Sequence, residues 1–239
     1  MATQVNRSRS YRDDQSFFVK LASVLVVLIL FGFVQWALRG MVSFGAEPVW
    51  VHLHGLLMVS FLGIFIAQNR SAASGNLVQH RRLGRIAAFA VAAIVGLGCF
   101  TGIMSLRHHT FPEFFSAAYF LVLTLVEPVV FGGLVYAAIL RRKETEYHRR
   151  LMMGAVIVLM EPALGRLLPA PFMHGLSEWA VLVIQLMVIV CMAMHDRKVI
   201  GRIHPATAAA GAVVALTHVV IELSAINPAI QSLAARIAG

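Results

Sequence analysis

Six ionisable residues, His54, Glu127, Glu161, Arg166, His218 and Glu222, fall inside long apolar runs of this 239-residue chain. Such side chains are costly in apolar surroundings and as a rule face a bundle interior or a cavity, so each is a site candidate. At a helical rise of about 1.5 Å per residue, all six fall between the middle of their runs and one common side. Imidazole nitrogens and carboxylate oxygens in this ratio ligate zinc, iron or manganese. His218 and Glu222, four apart and therefore on one helix face, would supply two ligands. His54, Glu127 and Glu161 would complete or support the shell, with Arg166 as a charge partner. A second chemistry is proton or substrate binding in a transporter at Glu127 and Glu161, each followed by a proline. Proline lacks the backbone N–H and crowds the carbonyl four residues back, which loosens the helix beside each carboxylate. A third reading is an internal polar network that fixes helix packing, with Arg166 neutralising one glutamate.

The histidines form a second pattern. His54 falls near one side of the apolar runs, His80 on the other, His108 and His109 on the first again, and His148 on the second. Axial ligation of two b-type haems on opposite sides of a membrane needs such an alternation, because each iron takes one histidine from each of two helices. His54 with His109 and His80 with His148 are the pairs this implies. The arrangement resembles the di-haem transmembrane cytochrome b family, which reduces ascorbate-linked or ferric substrates. A plainer role exists for the second side: His80, Arg81, Arg82, His148, Arg149 and Arg150 flank helix starts, where they would bind lipid phosphate.

Composition defines the solvent in which this chemistry would run. Hydrophobic residues make up 59% of the chain and charged residues 13%, with a mean hydropathy of +0.79. Soluble domains carry about 45–50% apolar and about 25% charged residues, so an ordinary soluble enzyme is excluded. Disorder is excluded too, since no segment is both polar and poor in bulky side chains. The formal charge of +9 does not indicate nucleic acid, because the basic residues are divided among loops.

A membrane helix needs roughly 20 mainly apolar residues. Seven stretches qualify: 18–38, 50–69, 84–105, 114–140, 151–168, 177–195 and 205–225. None alternates with the period of two that marks a membrane β-barrel. The expected fold is therefore all-α, a polytopic bundle of seven transmembrane helices at 18–239 behind a cytoplasmic tail at 1–17. With the N-terminus cytoplasmic, every Lys and Arg except Arg39, Arg107, Arg166 and Arg236 falls on the inner side. That asymmetry sets topology and places the C-terminus outside. The six buried ionisable residues then belong to the outer half. The first span is longer than a signal-peptide core and lacks a clear cleavage site, so it reads as a retained anchor.

The tetrapeptide His-Arg-Arg-Leu occurs at His80–Leu83 and again at His148–Leu151, each where the chain re-enters the membrane, and Arg202-Ile-His204-Pro205 holds the equivalent place before the last span. The chain reads as one helix followed by three hairpins, 50–105, 114–168 and 177–225, related by an old duplication. Gly98-x-x-x-Gly102 reads as a close helix contact. Together, His54-Gly55, His80-Arg-Arg-Leu-Gly-Arg85 and His148-Arg-Arg-Leu-Met152 resemble a broad group of bacterial multi-pass membrane proteins known only as a domain of unknown function. The resemblance covers residues 50–168 and implies a helical bundle in the bacterial inner (plasma) membrane, without an activity. No nucleotide loop, serine-hydrolase elbow or His-Glu-x-x-His helix is present. The leading expectation is a metal- or haem-dependent redox protein whose polar site opens toward the outer face. A proton-coupled transporter or channel-like protein and a non-catalytic membrane subunit are the alternatives. The lipid bilayer is the one partner the sequence names.

Overall fold

The computed structural model describes all residues except 1, 113 and 169–176, and all side chains except those of 1–13, those same gaps and Ser177. The described residues are helical throughout, joined by short turns. The chain runs α1 (Ala2–Leu38), α2 (Val49–Ala73), α3 (Leu77–Arg107), α4 (Ala117–Leu140), α5 (Thr145–Val158), α6 (Glu161–Leu167), α7 (Ser177–Ile200), α8 (Pro205–Ala225) and α9 (Pro228–Ala238). Six of them, α1, α2, α3, α4, α7 and α8, are long and apolar enough to cross a membrane. Their outward faces carry large apolar side chains such as Val27, Phe31, Leu56, Phe89, Met187 and Leu216, each more than half exposed. Such a continuous apolar exterior suits lipid and not water.

The fifth expected span, 151–168, differs from the expectation. It is two helices, α5 and α6, separated by a turn at Leu159-Met160. Pro162 is the second residue of α6; it cannot donate to the carbonyl of Val158, so the α5 ladder stops there. Pro128, by contrast, lies inside an unbroken α4. The run Pro169-Ala-Pro171 falls outside the described residues.

Every residue of α5 from Arg149 to Val158 is buried. A helix buried all round must be enclosed by others, and α5 packs against α1, α4, α7 and α8. Glycines permit the close approaches. A Cβ at Gly102 would lie 2.3 Å from the Thr124 hydroxyl, and one at Gly98 would lie 3.3 Å from Pro128, so the Gly98–Gly102 stripe is where α4 seats on α3. The chain ends on α9, which the span pattern did not anticipate; it buries Ala234 against Leu106, Ala118 and Leu121 of α3 and α4.

The two His-Arg-Arg-Leu copies occupy matching places in successive hairpins. His80 Nδ1 meets the Gln68 carbonyl of α2 at 3.2 Å, and His148 Nδ1 meets the Ala138 carbonyl of α4 at 2.8 Å. The third histidine is used differently: His204 Nδ1 accepts from Ala206 N at 3.1 Å, capping its own helix. The arginines of the two copies also diverge. Arg81 and Arg82 are exposed, as lipid-phosphate ligands would be, whereas Arg149 and Arg150 are buried.

Arg150 has no exposed surface. Its guanidinium donates to Asp196 Oδ1 of α7 at 2.6 and 2.8 Å and lies 3.3 Å from Asp14 Oδ1 of α1. Arg149 pairs with Asp14 and donates to Gln15 Oε1 at 2.8 Å. His195 Nε2 lies 3.0 Å from the same Asp14 carboxylate and its ring stacks on Phe17. Asp196 Oδ2 accepts from Thr207 at 2.6 Å and from His204 N at 3.0 Å. Both guanidiniums also sit over the Phe18 ring, at 5.3 and 5.1 Å. Arg149 and Arg150 thus face counter-charges inside the bundle and not lipid headgroups. Two arginines on an enclosed helix can be buried only with carboxylates brought to them.

Two outcomes are expected from this cluster. Arg150→Met leaves Asp196 with no cation and should lower stability by about 3–5 kcal/mol; an unchanged thermal midpoint in detergent would contradict the pairing. His204, at the mouth of α8, has its pKa lowered first by burial and then by Arg150, against the opposing pull of Glu146 and Asp196. Because the folded value lies below the unfolded one, its contribution is complete above the ordinary histidine range and fades as pH falls through it. Thermal midpoints measured from neutral to mildly acid pH should fall, and less steeply in His204→Asn, which keeps the cap. Parallel curves for the two proteins would remove His204 as the cause.

Candidate functional site

The second polar region lies between α4, α6, α7 and α8, beyond the break in the central helix. Glu161 opens α6 and is 5% exposed. Its carboxyl faces that of Glu127, one residue before the proline of α4, close enough for the two to interact. A proton shared between them would relieve the repulsion of two carboxylates held this close. Arg166, Glu178 and His218 all lie within electrostatic reach of Glu161. Arg166 turns back on its own helix, Nη1 donating to the Pro162 carbonyl at 2.6 Å, with its guanidinium 4.5 Å from the Phe33 ring centre. α1 closes this side: Gln35 donates to the Arg166 carbonyl at 2.9 Å, and Gly32 abuts Ala163 so closely that a Cβ would lie 2.7 Å from its carbonyl oxygen.

His218 is 2% exposed and is held from both ring nitrogens. Nδ1 lies 2.6 Å from Glu178 Oε1 and Nε2 lies 2.8 Å from Gln185 Oε1. Gln185 donates its amide to the Ile157 carbonyl at 3.0 Å. That fixes its orientation, so its oxygen must face His218 and Nε2 must carry a hydrogen. The Nδ1–Glu178 contact therefore holds one proton, on either the ring or the carboxyl. Tyr119 donates its hydroxyl to the other Glu178 oxygen, and Tyr119 is within electrostatic reach of Glu161 and Glu127. The Glu127–Glu161 carboxyl pair and the Glu178–His218 contact thus belong to one polar region.

The sequence-derived candidates divide accordingly. Glu127, Glu161, Arg166 and His218 converge on this region. Glu222 is half-buried and within electrostatic reach of His218 and Glu178, but it makes no hydrogen bond to either. His54 stands apart on α2, against Gly98 near Pro128, with a buried Nδ1 that has no hydrogen-bond partner. Among the described residues, no three His, Cys, Asp or Glu side chains are grouped to hold a metal ion. His218 takes Glu178 in place of Glu222 as its carboxylate.

His109 is exposed in the turn after α3, at φ +53°, and no hydrogen bond or ring contact joins it to His54. Its neighbour His108 stacks on Trp50. His80 and His148, the other pair, do meet, with ring centres 6.2 Å apart. Tyr119, Glu178 and Gln185 were absent from the sequence reading. Glu178 and Gln185 are seven residues apart, two helical turns, and so share the α7 face that meets His218; that spacing was the available signal.

No family model, curated protein or solved structure matches this chain.

A proton shared between Glu127 and Glu161 would have a direct consequence. Infrared spectra of the protein in membranes at neutral pH should contain a protonated-carboxyl band that both Glu127→Gln and Glu161→Gln alter. A spectrum without such a band, or one that neither substitution touches, would show that the two carboxyls do not share a proton.

Proposed function

We propose that this chain is a multi-pass plasma-membrane protein that couples proton movement to transport, with Glu127 and Glu161 as its proton-carrying pair. Glu178 and His218 form a second station for the same proton, and Tyr119 links Glu178 to the neighbouring carboxyls. The N-terminus is cytoplasmic and the C-terminus outside, following the basic-residue asymmetry of the loops, so the two stations belong to the outer half of the bilayer. One observation carries this reading: a facing pair of carboxyls and a buried carboxylate–imidazole contact sit together at a break in the central, enclosed helix. Discontinuous helices in transporters put their ion and substrate groups at the break, because the interrupted ladder frees backbone there and lets one half-helix move. Ionisable side chains buried at such a place mark proton relays.

This ordering reverses the one drawn from residue types alone, which favoured a redox metal. A metal in this region needs His218 and the glutamates as free donors, whereas His218 has both nitrogens engaged and Glu161 faces Glu127. A purely structural subunit would need the same network only to be satisfied, and proton movement separates the two.

The test requires no knowledge of the transported solute. Protein reconstituted in liposomes on a solid-supported membrane should give a transient charge displacement after a pH jump, as protons enter or leave the buried stations. Glu161→Gln and His218→Gln should bring the transient down to the level of empty liposomes while the protein stays folded and monodisperse. No transient from the wild type, or an undiminished one from Glu161→Gln, would exclude the proposal.

A further inference from the structure

The contact between His80 and His148 lies at the opposite end of the bundle from the proton stations and takes no part in them. Each ring is oriented by its own hairpin. His80 Nδ1 is bonded to the Gln68 carbonyl, and the buried Gln68 side chain in turn donates to the His80 carbonyl at 3.2 Å, which clamps the residue from both sides. His148 Nδ1 is bonded to the Ala138 carbonyl. A carbonyl can only accept, so both rings carry a hydrogen on Nδ1, and the neutral form of each keeps its lone pair on Nε2. Among the described residues, none makes a hydrogen bond to either Nε2. Metal-binding histidines are prepared in this way, the far nitrogen donating to a backbone carbonyl while the near one ligates.

The spacing narrows the chemistry. With metal–nitrogen bonds of about 2.0–2.1 Å, and the ring centre about 1.2 Å behind the nitrogen, two imidazoles on opposite sides of one metal have centres about 6.4 Å apart. At a tetrahedral angle the same bonds bring the centres to about 5.2 Å. The observed separation is 6.2 Å, with the rings at 85° to each other. That separation is nearer to the trans value than to the tetrahedral one.

We propose that His80 and His148 bind one transition-metal centre between their Nε2 atoms, in the trans arrangement that either a haem iron or a two-coordinate copper(I) ion accepts. The site joins the α2–α3 hairpin to the α4–α5 hairpin and uses the one residue type that the two His-Arg-Arg-Leu copies employ alike. The arginines that follow have diverged, Arg81 and Arg82 exposed and Arg149 and Arg150 buried, while the histidines keep the same carbonyl-anchored setting.

The full-length protein, purified without a His tag, decides the matter when supplied separately with haemin and with copper(I) and then desalted. A low-spin haem spectrum, lost in both His80→Ala and His148→Ala but kept in His109→Ala, supports the site with haem as its occupant. One retained equivalent of copper with the same pattern of loss supports it with the bare ion. His148→Met guards against a folding artefact: it keeps a coordinating atom, so the absorption spectrum should shift and not vanish. Retention of neither haem nor copper by the wild type overturns the proposal, as does binding that both alanine variants leave undiminished. The pH-jump transient reads the proton stations separately, so failure of either proposal is visible without the other.

Discussion

Arg150 sets the terms for the rest of this bundle. It lies in the first turns of a helix enclosed on all sides, and its side chain is wholly inaccessible. Removing a guanidinium from water costs several kcal/mol unless good counter-charges and hydrogen bonds replace the hydration. The chain meets that demand from three directions. Asp14 comes from α1, Asp196 from α7, and Thr207 and the His204 amide secure the far oxygen of Asp196 from α8. Four helices are thereby tied together at one end, and the apolar remainder of α5 is placed along the centre of the bundle. The aromatic face of Phe18 beneath both guanidiniums completes the shell.

A helix pinned at one end and interrupted at the other has a natural hinge between fixed and movable parts. Pro162 stops the α5 ladder, and α6 departs carrying Glu161 at its first position. The short segment is braced by α1 through Gly32 and Gln35 and by α4 through Glu127. The proposed proton between Glu127 and Glu161 would help keep α6 in place, since its loss would set two carboxylates against each other. The Gln185 amide bond to the Ile157 carbonyl ties the second station to the last turn of α5, so both stations report on the same break.

Much of this was legible in the sequence, and the failures have physical reasons. Long apolar runs announced the helical membrane bundle, and the Gly98–Gly102 spacing announced the α3–α4 contact. The depth of Glu127, Glu161 and His218 announced that they belong to one layer, because depth along a helix follows directly from residue count. Azimuth does not: nothing in the spacing said that His218 turns toward Glu178 and not toward Glu222, or that His54 stands apart. The fifth span was misjudged as one helix because hydropathy passes unbroken across Leu159-Met160, while the decisive feature is a single missing N–H at Pro162. Arg149 and Arg150 were read with Arg81 and Arg82 because their sequence contexts agree. Their partners, Asp14 and Asp196, lie 135 and 46 residues away, beyond the reach of any local pattern.

The central claim is that α5 is a fixed, enclosed axis and α6 a separate element held through the Glu161–Glu127 contact. Hydrogen exchange of the protein in lipid nanodiscs, read by mass spectrometry in wild type and Glu161→Gln, addresses it most directly. Peptides covering 149–158 should be strongly protected in both proteins, and protection of 161–167 should change with the substitution while that of α5 does not. Fast exchange across α5, or equal changes in α5 and α6, would contradict the account.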